Sequence, residues 1–371
     1  MTHALRRLRE LGQSVWLDDL RRDYLEDGTL RGLIERDAVT GITTNPAIFA
    51  RAVRESGGYR ADIARRARAG AALGEIYEGL VVDDVRRAAD LLRGVYDATA
   101  AADGYVSLEV SPHLADDSGA TVEQARRLWA QVARPNLMIK VPGTDAGLPA
   151  LRSLLAEGIN VNVTLLFSVS RYRSVLESHR QGLEDRMSAG RPLDRVASVA
   201  SFFLSRIDSR VDALLDSMPG EAAASLRGRA AIASAESAYE HFVAAADDVR
   251  WNVLAGHGAQ RQRLLWASTS TKDPAYDEFK YVESLIAPDT VTTLPMATLI
   301  GYRQRGEPAQ RLGAGTGEGG AISRALARLG VDLEEVAGEL ELDGVRKFAE
   351  PFDALMSQID GQRALAIASR P

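Results

Sequence analysis

The sequence predicts an α/β protein whose eight parallel strands close into a (β/α)8, TIM-type barrel. Eight short β-like runs recur along the chain, longer stretches rich in Ala, Arg, Leu and Glu separate them, and no loop-rich linker divides the set. Strands that alternate with helices form parallel sheets, and eight strands close this kind of barrel. The runs are SVWL (14–17), TGIT (40–43), GYVSLEV (104–110), NLMIKV (136–141), NVNVTLLF (160–167), VASVASFFL (196–204), RLLWAST (263–269) and TVTTL (290–294).

Helical sequence accounts for the segments between these strands. The N-terminal run MTHALRRLRELG predicts a short amphipathic helix, and helical sequence follows each of the first seven strands, as in TVEQARRLWAQVA after the third. The gaps 46–103 and 205–262 are long enough to need more than one helix each. We expect these extra helices to elaborate the barrel at two points.

The segment after the eighth strand is predicted to add C-terminal helices to the barrel. It begins with the glycine cluster GAGTGEGG (313–320), and helical segments follow at 321–338 and 342–360. A glycine-rich loop can cradle a phosphate, but no strand leads directly into this one, so we expect a hinge. Residues 1–371 are therefore predicted to form one barrel domain, with its strands within about 14–294.

Composition and charge exclude several classes of protein. Hydrophobic residues make up 46% and charged residues 26% of the chain, which is typical of a soluble globular protein. The net charge of −6 argues against a broad nucleic-acid-binding surface, so an anion site has to be a local cluster of cationic side chains and backbone N–H groups. The chain has no cysteine, which excludes disulfides, thiolate nucleophiles and cysteine-based zinc sites and fits a reducing compartment.

The sequence also bears on localisation and metal binding. The sequence contains no run of about 18 apolar residues, the length that a membrane-spanning helix needs. The N-terminus lacks the apolar core of a signal peptide, so we expect a cytoplasmic protein. The five histidines show no metal-ligand spacing, and no HExxH or DxDxDG pattern occurs, so we expect no metal. His113 follows the third strand closely enough to line the mouth of a site, although a role outside the chemistry is the commoner one.

The rarity of lysine draws attention to one strand. Of 45 cationic residues only four are lysines, namely Lys140, Lys272, Lys280 and Lys347. Lys140 stands in the apolar run NLMIKV, on a strand that a helix-covered barrel buries on both faces. A lysine, unlike an arginine, can lose its proton and attack a carbonyl, and removal from water favours the free amine. The alternative is a structural ion pair with a buried carboxylate. Lys280 and Lys347 lie in more polar stretches and are predicted to be surface charges.

Acidic and polar residues end the neighbouring strands. Glu109 ends the third strand, and the pair Asp18 and Asp19 follows the first; for one of this pair a helix N-cap is the expected role. Asn162 and Thr164 lie two apart on the fifth strand and therefore point to the same side. Because the site of such a barrel lies at the carboxyl ends of its strands, these side chains are predicted to meet the lysine of strand four. Aldol chemistry through an imine needs such a set of an amine, carboxylates, an amide and a hydroxyl.

Later strands supply candidates for binding an anion. Ser201 and Arg206 flank the end of the sixth strand in SFFLSR, and STSTK (268–272) ends the seventh with further hydroxyls and Lys272. Hydroxyls and a fork-shaped guanidinium suit a terminal phosphate, and late strands are where barrels commonly bind one. We therefore expect a phosphate site here.

Five of these segments resemble motifs of the transaldolase family, in its long bacterial form. GITTNPAIF (41–49) is similar to the family's T-[ST]-N-P signature, and NLMIKVPGTDAGLPAL (136–151) to the signature around its imine-forming lysine. SLEV, NVNVTLLFS and SFFLSR match three further strand-end motifs in the expected order. The resemblance covers about residues 10–300, and the joint occurrence of the motifs is highly specific. It implies a circularly permuted class I aldolase barrel, in which the lysine lies on strand four.

The resemblance also implies a role for each matched residue. By this resemblance Lys140 is the Schiff-base nucleophile and Asp18 the acid/base of C–C cleavage. Glu109 and Thr164 would hold a relay water, and Asn45 and Asn162 would bind the hydroxyls of the dihydroxyacetone part. Ser201 and Arg206 would bind the phosphate.

The implied reaction is the reversible transfer of a dihydroxyacetone unit, a step of the non-oxidative pentose phosphate pathway. The donor is sedoheptulose 7-phosphate or fructose 6-phosphate, and the acceptor is glyceraldehyde 3-phosphate or erythrose 4-phosphate. The protonated imine serves as the electron sink, so neither a metal nor an organic cofactor is expected. The expected partners are phosphorylated sugars, without nucleic acid or membrane. A homodimer is compatible with the sequence, which does not give the oligomeric state.

Two departures from the family pattern leave positions open. Other members have a second phosphate-binding arginine near the seventh strand, where this chain reads ASTSTKDP, so Lys272 would have to replace it. The first strand continues as WLDDL, so Asp18 and Asp19 are alternatives for the acid/base.

Two rival functions are also open. One is a fructose 6-phosphate aldolase, a smaller relative that releases dihydroxyacetone; Glu109 favours transfer, because that rival usually carries Gln at the position. The other is a non-catalytic sugar-phosphate-binding barrel, against which the joint presence of Lys140, Asp18 and Glu109 argues. Fold alone would not exclude it, because barrels host many functions.

Overall fold

A computed structural model describes residues 3–313 and 317–368 and contains a closed barrel of eight parallel strands in chain order. The first strand pairs with the second on one side and with the eighth on the other. The strands are β1 (Gln13–Leu17), β2 (Val39–Ile42), β3 (Tyr105–Glu109), β4 (Leu137–Pro142), β5 (Val161–Leu166), β6 (Ser198–Phe203), β7 (Arg263–Ala267) and β8 (Thr290–Leu294). Each end lies within two residues of the predicted run, so the predicted barrel is confirmed.

Helices surround the barrel. They are α1 (Ala4–Glu10), α2 (Arg22–Glu26), α3 (Thr29–Asp37), α4 (Pro46–Glu55), α5 (Gly58–Arg68), α6 (Leu73–Ala98), α7 (Ser118–Val132), α8 (Gly147–Glu157), α9 (Val169–Ser188), α10 (Ser205–Leu215), α11 (Glu221–Ala224), α12 (Ala230–Ala244), α13 (Val249–Gly256), α14 (Lys280–Glu283), α15 (Met296–Arg305), α16 (Glu318–Arg328) and α17 (Leu333–Ala368). Short 3-10 turns lie at Pro112–Leu114 and Ala245–Asp247. The two long gaps hold three and four helices, as predicted.

The C-terminal helices differ from the prediction in their boundaries. The break falls at 329–332 and not at 339–341, because Gly330 has a φ of +83° and ends α16 in the left-handed conformation that glycine adopts readily. Residues 318–320 of the predicted hinge already belong to α16, and residues 314–316 lie outside the described part of the chain. The division into one domain stays a prediction.

Buried polar contacts fix the amino end of the barrel. The ring of Trp16 lies against Gly41 so closely that an added Cβ would be 2.4 Å from it, which explains the glycine in β2. The Trp16 Nε1–H donates to Asp103 Oδ1 at 2.8 Å, and the Ser14 hydroxyl donates to the other oxygen of Asp103. These contacts lie far from the carboxyl ends of the strands and hold β1 to the segment before β3.

A buried ion pair holds the first group of added helices. Arg22 Nε of α2 donates to Asp84 Oδ1 of α6 at 2.9 Å, and Tyr59 of α5 donates to Asp84 Oδ2 at 2.7 Å. All three side chains are buried. A buried carboxylate is tolerated when it is paired and hydrogen-bonded in this way, so the triad joins three helices at one point.

The last helix crosses the carboxyl end of the barrel. α17 packs against α4, α5, α6 and α10 and against β5. None of the helices within residues 3–313 and 317–368 has the length and hydrophobicity of a membrane-spanning segment.

Candidate active site

Lys140 lies at the centre of the carboxyl end of the barrel. It belongs to β4 and its residue is 4% exposed. Its Nζ donates to the carbonyl oxygen of Thr44 at 2.9 Å and lies 2.7 Å from Glu109 Oε1. The sequence allowed two interpretations of Lys140, a structural ion pair or a catalytic amine. The structure contains the ion pair, but the partner carboxylate, Glu109, is itself a predicted site residue.

Glu109 is positioned by strand register. It is the last residue of β3 and stands directly beside Lys140 in the parallel ladder. Burial raises the pKa of Glu109; the adjacent Lys140 ammonium opposes that rise, and the charge of Asp18 adds a little to it. A carboxylate with a raised pKa that touches an amine can exchange a proton with it.

A small space adjoins this pair. Glu109, Lys140 and Thr164 line it together with Val345 and Phe348 of α17, and its volume is about 20 Å³. The Thr164 hydroxyl is buried and makes no hydrogen bond within the described residues. Most of its walls are apolar, but Glu109, Lys140 and Thr164 provide polar partners, and a space of this size can hold one water molecule that bonds to them.

A bulge in β5 shapes the same wall. The pairing of β5 with β6 shifts register between Val163 and Leu166, and the intervening Leu165 has a φ of +63°. Bulges next to active sites re-aim side chains. Here Leu165 and Thr164 both line the small space, although successive residues of a regular strand point to opposite faces.

The two aspartates after β1 have different surroundings. Asp18 is half-buried, accepts a hydrogen bond from the Thr43 hydroxyl at 2.7 Å, and lines a cavity with Lys140. Asp19 is buried and accepts a hydrogen bond from Arg51 of α4 at 2.8 Å. Burial raises the pKa of Asp19, and the Arg51 guanidinium opposes that rise. Asp18 therefore faces the lysine, whereas Asp19 anchors a helix; no N-cap hydrogen bond from either aspartate is present in the described structure.

The loop after β2 supplies both backbone and side-chain contacts. Asn45 is the N-cap of α4, where its Oδ1 accepts a hydrogen bond from the Ile48 N–H at 3.0 Å, and it lines the cavity. Thr43 and Thr44 were not singled out from the sequence, yet one holds Asp18 and the other holds the lysine Nζ. Their position in the sequence could have indicated a role, since both threonines belong to the TTNP motif (43–46).

Asn162 belongs to a polar layer inside the barrel. Its Nδ2 donates to Ser107 Oγ at 3.0 Å, and its Oδ1 accepts from Ser201 Oγ at 2.7 Å. Asn162 stands beside Lys140 in the ladder and is fully buried. The layer fixes the side-chain orientations of these three residues next to the lysine.

The cavity that joins these residues has a volume of about 100 Å³. Five of the nine predicted site residues line it, namely Asp18, Asn45, Lys140, Ser201 and Arg206. Glu109, Asn162, Thr164 and Lys272 do not. Glu109 and Thr164 adjoin the same lysine in the smaller space, and Asn162 bonds Ser201. Eight of the nine predicted side chains therefore meet at one end of the barrel.

Arg206 is a second cationic side chain of the cavity, beside Lys140. It is half-buried, and its Nη1 makes no hydrogen bond within the described residues. Burial lowers the pKa of Arg206, and the charge of the Asp343 carboxylate opposes this. Its guanidinium carbon lies 5.4 Å from the ring centre of Phe203 and 6.0 Å from that of Phe348. A guanidinium among aromatic rings with a free N–H is suited to binding an anion.

The remaining lysines lie elsewhere. Lys272 is exposed on the loop after β7 and does not line the cavity, so its role as a phosphate ligand stays a prediction. Lys347 is exposed, as predicted, and pairs with Asp343 at 2.6 Å. The prediction for Lys280 was wrong: it is half-buried and pairs with the buried Asp208 at 2.8 Å, because two tyrosine rings and α10 enclose it.

The histidines take no part in the cavity. His113 is exposed, and its Nε2 lies 2.7 Å from Asp353 Oδ1 of α17. Within residues 3–313 and 317–368, no group of three or more His, Asp or Glu side chains is placed to hold a metal ion.

Comparison with known proteins agrees with this geometry. The profile of the family described as Transaldolase/Fructose-6-phosphate aldolase matches residues 15–359. The chain is 44% identical over 366 residues to Transaldolase 2 of a Nostoc species, covering 96% of each chain. It is 46% identical over 349 residues to the transaldolase of Thiobacillus denitrificans, covering 94% of this chain and 97% of that protein. It is also 46% identical over 357 residues to Transaldolase 1 of Streptomyces coelicolor, covering 96% and 94%. The chain belongs to the transaldolase/fructose-6-phosphate aldolase family.

Proposed function

We propose that the protein is a transaldolase, which transfers a dihydroxyacetone unit from sedoheptulose 7-phosphate or fructose 6-phosphate to glyceraldehyde 3-phosphate or erythrose 4-phosphate. The observation that carries this proposal is the single cavity lined by Lys140, Asp18 and Arg206. An amine, a carboxylate and an unpaired guanidinium match the carbonyl, the hydroxyl and the phosphate of one ketose phosphate.

Imine formation begins with a proton transfer. Glu109 lies 2.7 Å from the Lys140 Nζ and accepts its proton, directly or through a water beside Thr164. The free amine attacks C2 of the ketose, and the oxygen of C2 leaves as water after taking up protons from the same relay. The product is a protonated imine between Lys140 and C2.

Cleavage of the C3–C4 bond uses the other carboxylate. Asp18, held by the Thr43 hydroxyl, accepts the proton of the C4 hydroxyl. C4 becomes an aldehyde, the bonding electrons move into the imine, and a three-carbon enamine stays on the lysine. The aldose phosphate then leaves the site as Arg206 releases its phosphate group.

Transfer reverses these steps with a second aldose phosphate. The enamine carbon attacks the acceptor aldehyde, and Asp18 returns its proton to the new alkoxide. Water then hydrolyses the imine through Glu109 and Thr164 and releases the new ketose phosphate. Asn45 and the Asn162–Ser201 pair would bind the hydroxyls of the three-carbon unit, and Lys272 would join the phosphate only after its loop moves.

The rival fructose 6-phosphate aldolase differs in the fate of the enamine. It protonates the three-carbon unit and releases dihydroxyacetone. The carboxylate of Glu109 supports transfer, in keeping with the family resemblance at that position. A non-catalytic barrel would not need Glu109 and Asp18 on two sides of Lys140.

The proposal is tested by following both products. The enzyme is incubated with fructose 6-phosphate and erythrose 4-phosphate, and sedoheptulose 7-phosphate and dihydroxyacetone are quantified. We expect sedoheptulose 7-phosphate in large excess, and neither product from the control Lys140→Arg. Dihydroxyacetone as the main product would support the aldolase, and the absence of both would contradict either enzyme.

The setting of the reaction follows from the same proposal. We place it in the non-oxidative pentose phosphate pathway and in the cytoplasm, which the absence of cysteine from the sequence supports. Every proposed step uses residues of one chain, so the mechanism is compatible with a homodimer but does not require one.

A further inference from the structure

One aromatic side chain of α17 lies over the catalytic cavity. Phe348 lines both the cavity that holds Asp18 and Arg206 and the small space beside Glu109 and Thr164. The centre of its ring lies 5.6 Å from the Lys140 Nζ and 6.0 Å from the Arg206 guanidinium carbon. The ring therefore covers the path between the amine and the proposed phosphate site.

The volume left beneath this ring is small. The cavity holds about 100 Å³, whereas sites for small organic ligands usually have about 300–1,000 Å³. A ketose phosphate that reaches from Lys140 to Arg206 must displace the ring, which then lies against the bound sugar. The ring's contact with the substrate thus follows from the position of the two groups that bind its ends.

The sequence of α17 provides for this close approach. Gly344 precedes Phe348 by four residues and so lies on the same helix face. A Cβ added to Gly344 would lie 3.0 Å from Leu165 Cδ2, which is tighter than ordinary packing allows. The glycine therefore lets α17 approach the β5 bulge and brings Phe348 down onto the lysine.

Two kinds of contact hold the helix. Leu340 and Leu355 of α17 are buried, whereas an exposed pair such as Arg210–Glu339, at 2.7 Å, contributes little to stability. Phe348 itself is only half-buried, so its side chain can change rotamer to admit a substrate and return over it while the helix stays in place.

We propose that Phe348 is a positioning residue that keeps water away from the enamine on Lys140 and thereby favours transfer over release. The inference rests on the proposed function. The enamine carbon has two fates: it attacks an acceptor aldehyde, or it takes a proton from water to give the imine of dihydroxyacetone. Hydrolysis of that imine by a second water frees dihydroxyacetone and restores the lysine amine. An apolar ring over the site lowers the access of water and so slows the second fate.

The test measures this partition in a graded series, Phe348→Leu, Phe348→Val and Phe348→Ala. Each enzyme receives fructose 6-phosphate and erythrose 4-phosphate in deuterium oxide, and deuterated dihydroxyacetone is compared with sedoheptulose 7-phosphate. We expect the ratio of released to transferred product to rise as the side chain shortens, by about tenfold for the alanine variant. The matched control is Leu342→Ala, because Leu342 on the same helix is 76% exposed; its ratio should equal that of the wild type.

Trapping with borohydride separates the two levels of the proposal. If wild type forms an adduct on Lys140 and the folded variants keep the wild-type ratio, the role of Phe348 is wrong and the proposed function stands. If wild type forms no adduct on Lys140, the proposed function itself fails. Circular dichroism monitors folding, and should the alanine variant not fold, an equal ratio in the leucine and valine variants and wild type overturns the inference.

Discussion

At the scale of single residues, the Lys140–Glu109 pair is what makes the site reactive and not merely charged. A buried ion pair serves structure alone when its other surroundings are apolar and closed. Here Glu109 is also adjoined by the Thr164 hydroxyl and by a space of about 20 Å³, and the lysine also faces Asp18 across a second cavity. The proton that the pair shares can therefore be passed on.

Replacing Glu109 by Gln should slow the reaction without preventing imine formation. The amide keeps the shape but cannot accept a proton, so we expect imine formation to slow and transfer to fall by about 10²–10⁴-fold, the usual contribution of a general acid/base. After long incubation, borohydride should still trap an imine on Lys140, because a proton relay changes the rate of imine formation and not its end point. Loss of the adduct even at long times would show that the carboxylate is needed for more than the proton relay.

The pH profile gives a second measure of the same carboxyl. Burial raises the pKa of Glu109 above its ordinary value of 4.5, with Lys140 opposing. The carboxylate form is lost as the pH falls through this raised pKa, so kcat/KM of the wild type should decline on the acid side at a higher pH than for an exposed glutamate. The Glu109→Gln variant should lack that acid limb. If kcat/KM of the variant still declined at the same acidic pH as that of the wild type, the decline would belong to another group.

Asp18 and Asp19 form a matched pair for substitution by Asn. Asp18→Asn removes the base for C–C cleavage, so an imine should accumulate while aldose phosphate release falls by about 10²-fold or more. Asp19→Asn weakens the contact with Arg51 and should leave the turnover close to that of the wild type. Single-turnover assays of both steps make the comparison. The reverse pattern would assign the acid/base to Asp19.

At the scale of helices, a buried histidine makes the packing of α9 depend on pH. His179 is buried and lies 6.2 Å, ring to ring, from Trp251 of α13. Burial lowers the pKa of His179 from 6.5 to about 4. Between these two values the unfolded chain binds the proton and the folded protein does not, so the stability that is present above pH 6.5 falls as the pH is lowered toward 4.

The variant His179→Leu isolates this effect. It keeps an apolar side chain but does not titrate, so its free energy of unfolding should fall less on acidification than that of the wild type. We expect a difference of about 2 kcal/mol between pH 7 and pH 5. Denaturant unfolding at both pH values measures it, and parallel loss of stability in the two proteins would mean that His179 is not held neutral.

Helix boundaries show what local sequence can and cannot predict. The two long gaps have enough helical sequence to predict extra helices, and α4 to α6 and α10 to α13 fill them. The end of α16 depends on Gly330 in the left-handed conformation, and several glycines in this part of the chain could have played that part. Local composition therefore predicted the presence of the C-terminal helices but placed the break some ten residues too late.

At the scale of the whole molecule, the barrel was predictable because its strands are buried on both faces. Such strands read as short apolar runs between helices, and eight of them were found. The convergence of the candidate side chains was predictable for a related reason, since parallel strands bring their carboxyl ends to one rim. Residues as distant in sequence as Asp18 and Arg206 could thus be assigned to one place from the sequence alone.

The covering of the rim was not predictable in the same way. No repeat or motif of the sequence connects α17 with β3 or β4, so Phe348 could not be assigned to the lysine. Likewise Lys280 lies in a polar stretch, and only the packing of α10 against the loop after β7 encloses it with Asp208. Contacts between elements far apart in the chain decide both cases.

The central claim is that Lys140 forms the imine, and reductive trapping tests it most directly. The enzyme is treated with borohydride in the presence of fructose 6-phosphate, digested, and mapped by mass spectrometry. Because the chain has only four lysines, each is assigned without ambiguity, and Lys140→Arg serves as the control. We predict one stable adduct, on Lys140, with loss of activity in proportion to labelling. An adduct on another residue, or none from an active enzyme, would contradict the mechanism.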